Sequence, residues 1–81
     1  MTTQATKQVP LFPLHAGDEY VELYKVLKVQ GMSNGGGEAK HVIAEGLVTV
    51  NGEVETRKRK KLIPGDLVAF NGESVQIVAA E

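Results

Sequence analysis

The chain contains no cysteine. That excludes disulfides, a thiolate zinc site and an iron–sulfur cluster. No apolar run approaches the ~18 residues needed to cross a bilayer. The first eight residues are polar and lack the apolar stretch of a signal peptide. These absences together predict a cytoplasmic protein with no membrane partner. Aromatic residues make up only 5 % of the chain, and most fall on predicted apolar faces. They predict core packing rather than a platform for stacked bases. The length of 81 residues fits one domain at the small end of what folds alone. Such a chain buries roughly 60–65 % of its unfolded surface, too little for a core plus a large enclosed active site.

Catalytic groups are equally scarce. The two histidines, His15 and His41, fall in different elements, and neither has a partner at metal-ligand spacing. Ser33 and Ser74 lack the sharp glycine-flanked turn of a nucleophile elbow. The carboxylates are scattered. The sequence therefore predicts no enzyme, no metal site and no cofactor.

What is present is charge segregation. The formal net charge is only −1, but Arg57, Lys58, Arg59, Lys60 and Lys61 place five positive charges in succession. The other 76 residues carry a balance of −6. A run of this kind creates a local field that the net charge hides. Alone, it reads either as a solvated strand edge or as a phosphate-binding patch.

Periodicity divides the rest. Residues 1–10 read as a flexible tail and 11–81 as a single domain. The segment Val9-Pro10-Leu11-Phe12-Pro13-Leu14 holds two prolines, which exclude helix and central strand and leave an edge strand or extended segment. Tyr20, Leu23, Tyr24 and Leu27 recur with helical spacing, predicting a helix over 19–30 with Asp18 as its cap and Gly31 as its stop. A second helix is predicted over 38–45. Ser33 or Asn34 caps it, Ala39, Val42 and Ile43 form its buried stripe, and Gly46 closes it. The period then becomes two. Asn51-Gly52 and Asn71-Gly72 are hairpin turn signals, and Pro64-Gly65-Asp66 is another turn. A two-residue loop pairs Val68 with Val75. At the first hairpin it pairs Val50 with Glu53 and turns Val54 away from the valines, while a bulged loop brings Val54 back. Helices first and three or four antiparallel strands after make the class α+β.

Gly35-Gly36-Gly37 stands at the start of the second helix. Bare backbone N–H groups there suit an anion, and the helix dipole adds to the effect. Close helix approach or a flexible linker are the alternatives. Lys40 shares a face with residue 36. If the sheet carries 57–61 to the same side, one surface gathers amides, Lys40 and the basic run.

In order and spacing, Gly36-Gly37-Glu38-Ala39-Lys40, Ile43, Gly46, Val48-Thr49-Val50-Asn51-Gly52, Glu55-Thr56-Arg57-Lys58-Arg59, Lys61-Leu62 and Gly65-Asp66 resemble the S4-type RNA-binding domain, or αL motif. The likeness covers about residues 11–78 and is strongest to its small stand-alone bacterial members. It implies a helical hairpin packed on a small bent antiparallel sheet. It also implies an RNA surface over the start of the second helix and the adjoining strand loop. Carried over by position, that surface comprises Ser33, Gly36, Glu38, Lys40, His41, Arg57, Lys58, Arg59 and Lys60. The wider family often has an arginine near the position of Gly36, so here the charge shifts to 57–61. The expected role is non-catalytic binding of structured RNA, ribosomal or transfer RNA, by a monomer. The ribosome or an RNA-processing enzyme is a further partner. A protein-interaction adaptor and an accessory subunit of an RNA-modifying enzyme are the rival readings.

Overall fold

The computed structural model describes residues 9–80. The elements run β1 (Leu11–Pro13), β2 (Val21–Glu22), α1 (Leu23–Val29), α2 (Gly36–Ala44), β3 (Val48–Val50), β4 (Glu53–Val54), β5 (Lys61–Leu62), β6 (Leu67–Phe70) and β7 (Glu73–Val78). Five strands form one sheet in the order β1-β7-β6-β3-β4, while β2 and β5 form a separate two-stranded ribbon. The α+β class and the helical hairpin stand as the sequence predicts. The sheet is mixed rather than wholly antiparallel, because β1 runs parallel to β7, with Phe12 opposite Ile77. The prolines explain the edge position of β1, since a residue without N–H interrupts a ladder least at the margin. Of the predicted tail, residues 1–8 lie outside the described residues, and the Pro10 carbonyl already accepts the Gln76 N–H.

The first helix is shorter than its periodicity suggests. Val21 and Glu22 pair with Leu62 and Lys61 instead of winding into helix. Asp18 is not the cap: the N-cap is Glu22, with no side-chain bond to the helix. The orphan donors of the first turn are met by tertiary contacts. Leu23 N–H donates to the Lys60 carbonyl and Tyr24 N–H to the Lys58 carbonyl. Tyr20 accordingly leaves the predicted apolar stripe and is 42 % exposed.

Both helices end as predicted. Gly31 N–H bonds the Lys28 carbonyl and Met32 N–H the Leu27 carbonyl, and Gly46 and Leu47 repeat the pattern on Ile43 and Val42. This is the Schellman arrangement, with positive-φ glycines at the turning point. Neither Ser33 nor Asn34 caps α2. Its N-cap is Gly35, at φ 94° and ψ 176°.

The two hairpins resolve the register. Val50 faces Glu53, Thr49 faces Val54, and Val68 faces Val75. Asn51 and Asn71 have φ near +55°, which fits tight two-residue turns. Val54 points away from the core and is exposed. The core joins Leu23, Val26 and Leu27 of α1 and Ala39, Val42 and Ile43 of α2 to Val48, Leu62, Val68, Val75 and Ile77. Each fully buried aliphatic side chain contributes about 1.5–3 kcal/mol, and this seam fixes the helical hairpin against the sheet.

Candidate nucleic-acid interface

The path of the basic run is fixed by its backbone hydrogen bonds. Glu55 N–H donates to the Val48 carbonyl and extends the first hairpin, and Lys60 N–H closes a turn on the Arg57 carbonyl. The Lys58 and Lys60 carbonyls face α1 and accept its first N–H groups. Arg57, Lys58 and Arg59 therefore stand exposed, with Lys60 half-buried. The loop and the helix end complete one another. The helix gains acceptors for its orphan donors, and the loop gains a fixed path beside the helical hairpin.

Arg57 is not a free charge. Its Nε donates to Glu55 Oε2 at 2.8 Å and its Nη2 to Oε1 at 3.1 Å. Its own backbone N–H donates to Oε2 as well. The Arg57 hydrogen bonds lower the Glu55 pKa to about 2 against the opposing effect of burial, and the nearby Arg57 and Lys60 charges add to the shift. The same contact binds the Arg57 proton more tightly. Among the described residues, Lys40, Lys58, Arg59 and Lys60 enter no ion pair.

Lys40 meets this loop across the helical hairpin. Lys40 and Ala44 of α2 line a shallow groove with Thr56, Arg57, Lys58 and Arg59. A second groove next to it is lined by Arg57, Arg59, Lys60 and Lys61. The Lys40 ammonium lies 4.8 Å from the centroid of the Tyr24 ring on α1. The loop between β4 and β5 thus brings Arg57, Lys58 and Arg59 beside Lys40, while residues 35–37 line neither groove.

The turn before α2 serves a different purpose. Ser33 is buried, and its hydroxyl donates to the Gly35 carbonyl at 3.1 Å. Glu38 Oε1 accepts the Asn34 N–H at 2.7 Å. These two residues hold the turn, and Glu38 places a carboxylate at the helix N-terminus. Gly36 packs near the stem of Lys28, where an added Cβ would lie 3.6 Å from Lys28 Cδ. His41 is exposed on α2. Sequence reasoning overlooked Thr56 and Ala44 as groove walls and Tyr24 as the support of Lys40.

No helix among the described residues is long and apolar enough to cross a membrane. The family model for the S4 domain matches residues 14–78. "Putative RNA-binding protein YbcJ" of Escherichia coli (strain K12) is 55 % identical over 60 residues, covering 74 % of this chain and 86 % of that protein. "Probable ribosome maturation protein RlbA" of Bacillus subtilis (strain 168) is 36 % identical over 67 residues, covering 82 % and 94 %. Among solved structures, the solution structure of Escherichia coli YbcJ, described as revealing an αL motif involved in RNA binding, superimposes with a TM-score of 0.72 at 44 % identity over 98 % of this chain and 99 % of that one. The 30S ribosomal protein S4e of Thermoplasma acidophilum gives 0.60 at 31 % identity, over 70 % of this chain and 30 % of that one.

Proposed function

Because the chain belongs to the S4 domain family, we propose that it is a non-catalytic module that binds structured RNA through the face shared by α2 and the 55–61 loop. The observation that carries this reading is the groove joining Lys40 to Lys58 and Arg59. Three cations without ion-pair partners among the described residues, brought together from two elements, present a concentrated positive surface to a phosphate backbone. The YbcJ likeness supports RNA as the polyanion. The Bacillus relative, named for ribosome maturation, favours ribosomal RNA over transfer RNA as the target.

In this reading Lys40, Lys58, Arg59 and Lys60 contact phosphates, and Arg57 joins them by exchanging Glu55 for a phosphate oxygen. The amides at Gly36 and the imidazole of His41 flank the site. Ser33 and Glu38 act indirectly, by fixing the turn that starts α2. Recognition is then of backbone shape and charge, as suits a folded RNA with little single-stranded sequence to read. The protein acts in the cytoplasm, where that RNA is assembled.

Amide chemical-shift mapping with a short ribosomal-type hairpin tests the assignment. The expected shifts cluster at 40–41 and 56–61 and fade as salt rises. A folded protein with no shifts there, against several hairpins, overturns it and returns the basic run to the role of a protein-docking surface.

A further inference from the structure

One aromatic residue has no place in the core or in the groove. Tyr20 precedes β2 and is 42 % exposed. It lies one step beyond the Val21–Leu62 pair of the β2–β5 ribbon, and Ile63 lies one step beyond on the other strand. Side chains alternate across a ribbon. Leu62 points inward and is fully buried, so Tyr20 and Ile63 turn to the opposite, wet face. Ile63 is 54 % exposed. The Lys61 ammonium lies 4.9 Å from the Tyr20 ring centroid. Lys61 also lines the groove formed with Arg57, Arg59 and Lys60. A flat aromatic ring, an aliphatic neighbour and a cation therefore sit together at the end of the basic loop.

We propose that Tyr20 and Ile63, beside Lys61, stack an unpaired nucleobase where bound RNA leaves the basic loop; this deepens the RNA-binding reading and rests on it. Base stacking on an aromatic ring is generally stronger than an exposed cation–π contact. A base therefore takes the ring, and Lys61 turns to the adjoining phosphate. Local charge sets the polarity of the site. Tyr20 also lines a groove with Asp18, Glu19 and Glu22, three carboxylates against the one lysine there, Lys25. Glu22 itself leans toward Lys25, at 3.9 Å. Carboxylates repel further phosphates, so the strand is tracked up to Tyr20 and not past it. The preferred RNA is thus a duplex with an unpaired nucleotide at its end, not a blunt duplex.

The test uses the full chain and three RNA hairpins of one stem. One is blunt, one carries a single 2-aminopurine at the 5′ end, and one carries it at the 3′ end. The expected result is quenched 2-aminopurine fluorescence on binding for one overhang. That hairpin binds at least about 5-fold tighter than the blunt one. Tyr20→Leu keeps the apolar bulk but lacks the ring face, so it loses the quench and falls to the blunt affinity. Tyr20→Phe keeps both, and blunt-hairpin binding is the same in all three proteins. No quench with either overhang overturns the stacking site while leaving RNA binding intact, and so does equal weakening of all three hairpins by Tyr20→Leu. Failure of the wild-type chain to bind any of the hairpins overturns the RNA-binding reading itself, and the stacking site with it.

Discussion

The Lys40 ammonium, carried by α2, rests 4.8 Å from the centroid of the Tyr24 ring on α1. Tyr24 in turn donates its backbone N–H to the Lys58 carbonyl. One aromatic residue thus ties the cation of the second helix to the path of the basic loop. Lys40→Met keeps the aliphatic stem and removes the charge. Its expected effect is a weaker affinity for every structured RNA tested and a log K against log salt slope smaller by about 1. Filter binding at four salt concentrations reads this directly. An unchanged slope removes Lys40 from the phosphate contacts.

Asn51 has a structural role, although it stands within the residues that carry the family likeness. Its Nδ2 donates to Asp66 Oδ1 at 3.0 Å and its Oδ1 accepts the Leu67 N–H at 2.9 Å. Asp66 Oδ2 also accepts the Ile63 N–H. Asn51 further occupies a positive-φ position that tolerates Asn better than Ala. Asn51→Ala is expected to cost about 1–3 kcal/mol in urea denaturation. The salt slope of RNA binding should stay the same.

Glu55 makes stability depend on pH at the acid end. Its pKa is lowered from 4.5 to about 2 in the folded state. A depressed carboxylate stabilises the fold above its unfolded pKa, and that contribution is lost as pH falls from about 4.5 toward 2. Glu55→Gln removes this dependence. The two proteins should converge in denaturation midpoint as pH drops through that window, the wild type losing more. The same variant releases Arg57 and removes an opposing charge, so RNA binding at neutral pH should tighten. Weaker binding by Glu55→Gln would mean that Glu55 is needed to hold Arg57 in place.

The three glycines at the start of α2 are not equivalent. Gly35 has φ 94° and ψ 176°, a region nearly closed to other residues. Gly35→Ala should cost about 1–3 kcal/mol. Gly37 lies inside the helix with open space where a Cβ would sit. Gly37→Ala should be neutral or stabilising by up to about 1 kcal/mol. Thermal unfolding of both variants separates a conformational requirement from mere flexibility.

The elements with a clean period were readable in the sequence. Leu23, Val26 and Leu27 mark the buried face of α1, and the Asn71-Gly72 turn sets the second hairpin register, because in each case neighbouring residues supply the cause; at Asn51-Gly52 the sequence left two registers open, and the Thr49–Val54 pairing decides between them. Tyr20 was misread because its spacing fits a helix. The deciding contact, Val21 with Leu62, joins residues far apart in the chain. The parallel pairing of β1 with β7 was hidden for the same reason. Within the candidate site, the cations were visible as residue types. The Glu55 clamp on Arg57 and the structural duties of Ser33 and Glu38 depend on side-chain geometry, which spacing does not record.

The salt dependence of RNA binding by Lys58→Ala/Arg59→Ala, compared with wild type, tests the central claim most directly. With four or five phosphates neutralised, the wild-type slope of log K against log salt is expected near −3 to −4. The double variant should lose about 2 from that slope, with circular dichroism unchanged. Equal slopes for the two proteins would contradict the account and place any RNA contact elsewhere on the molecule.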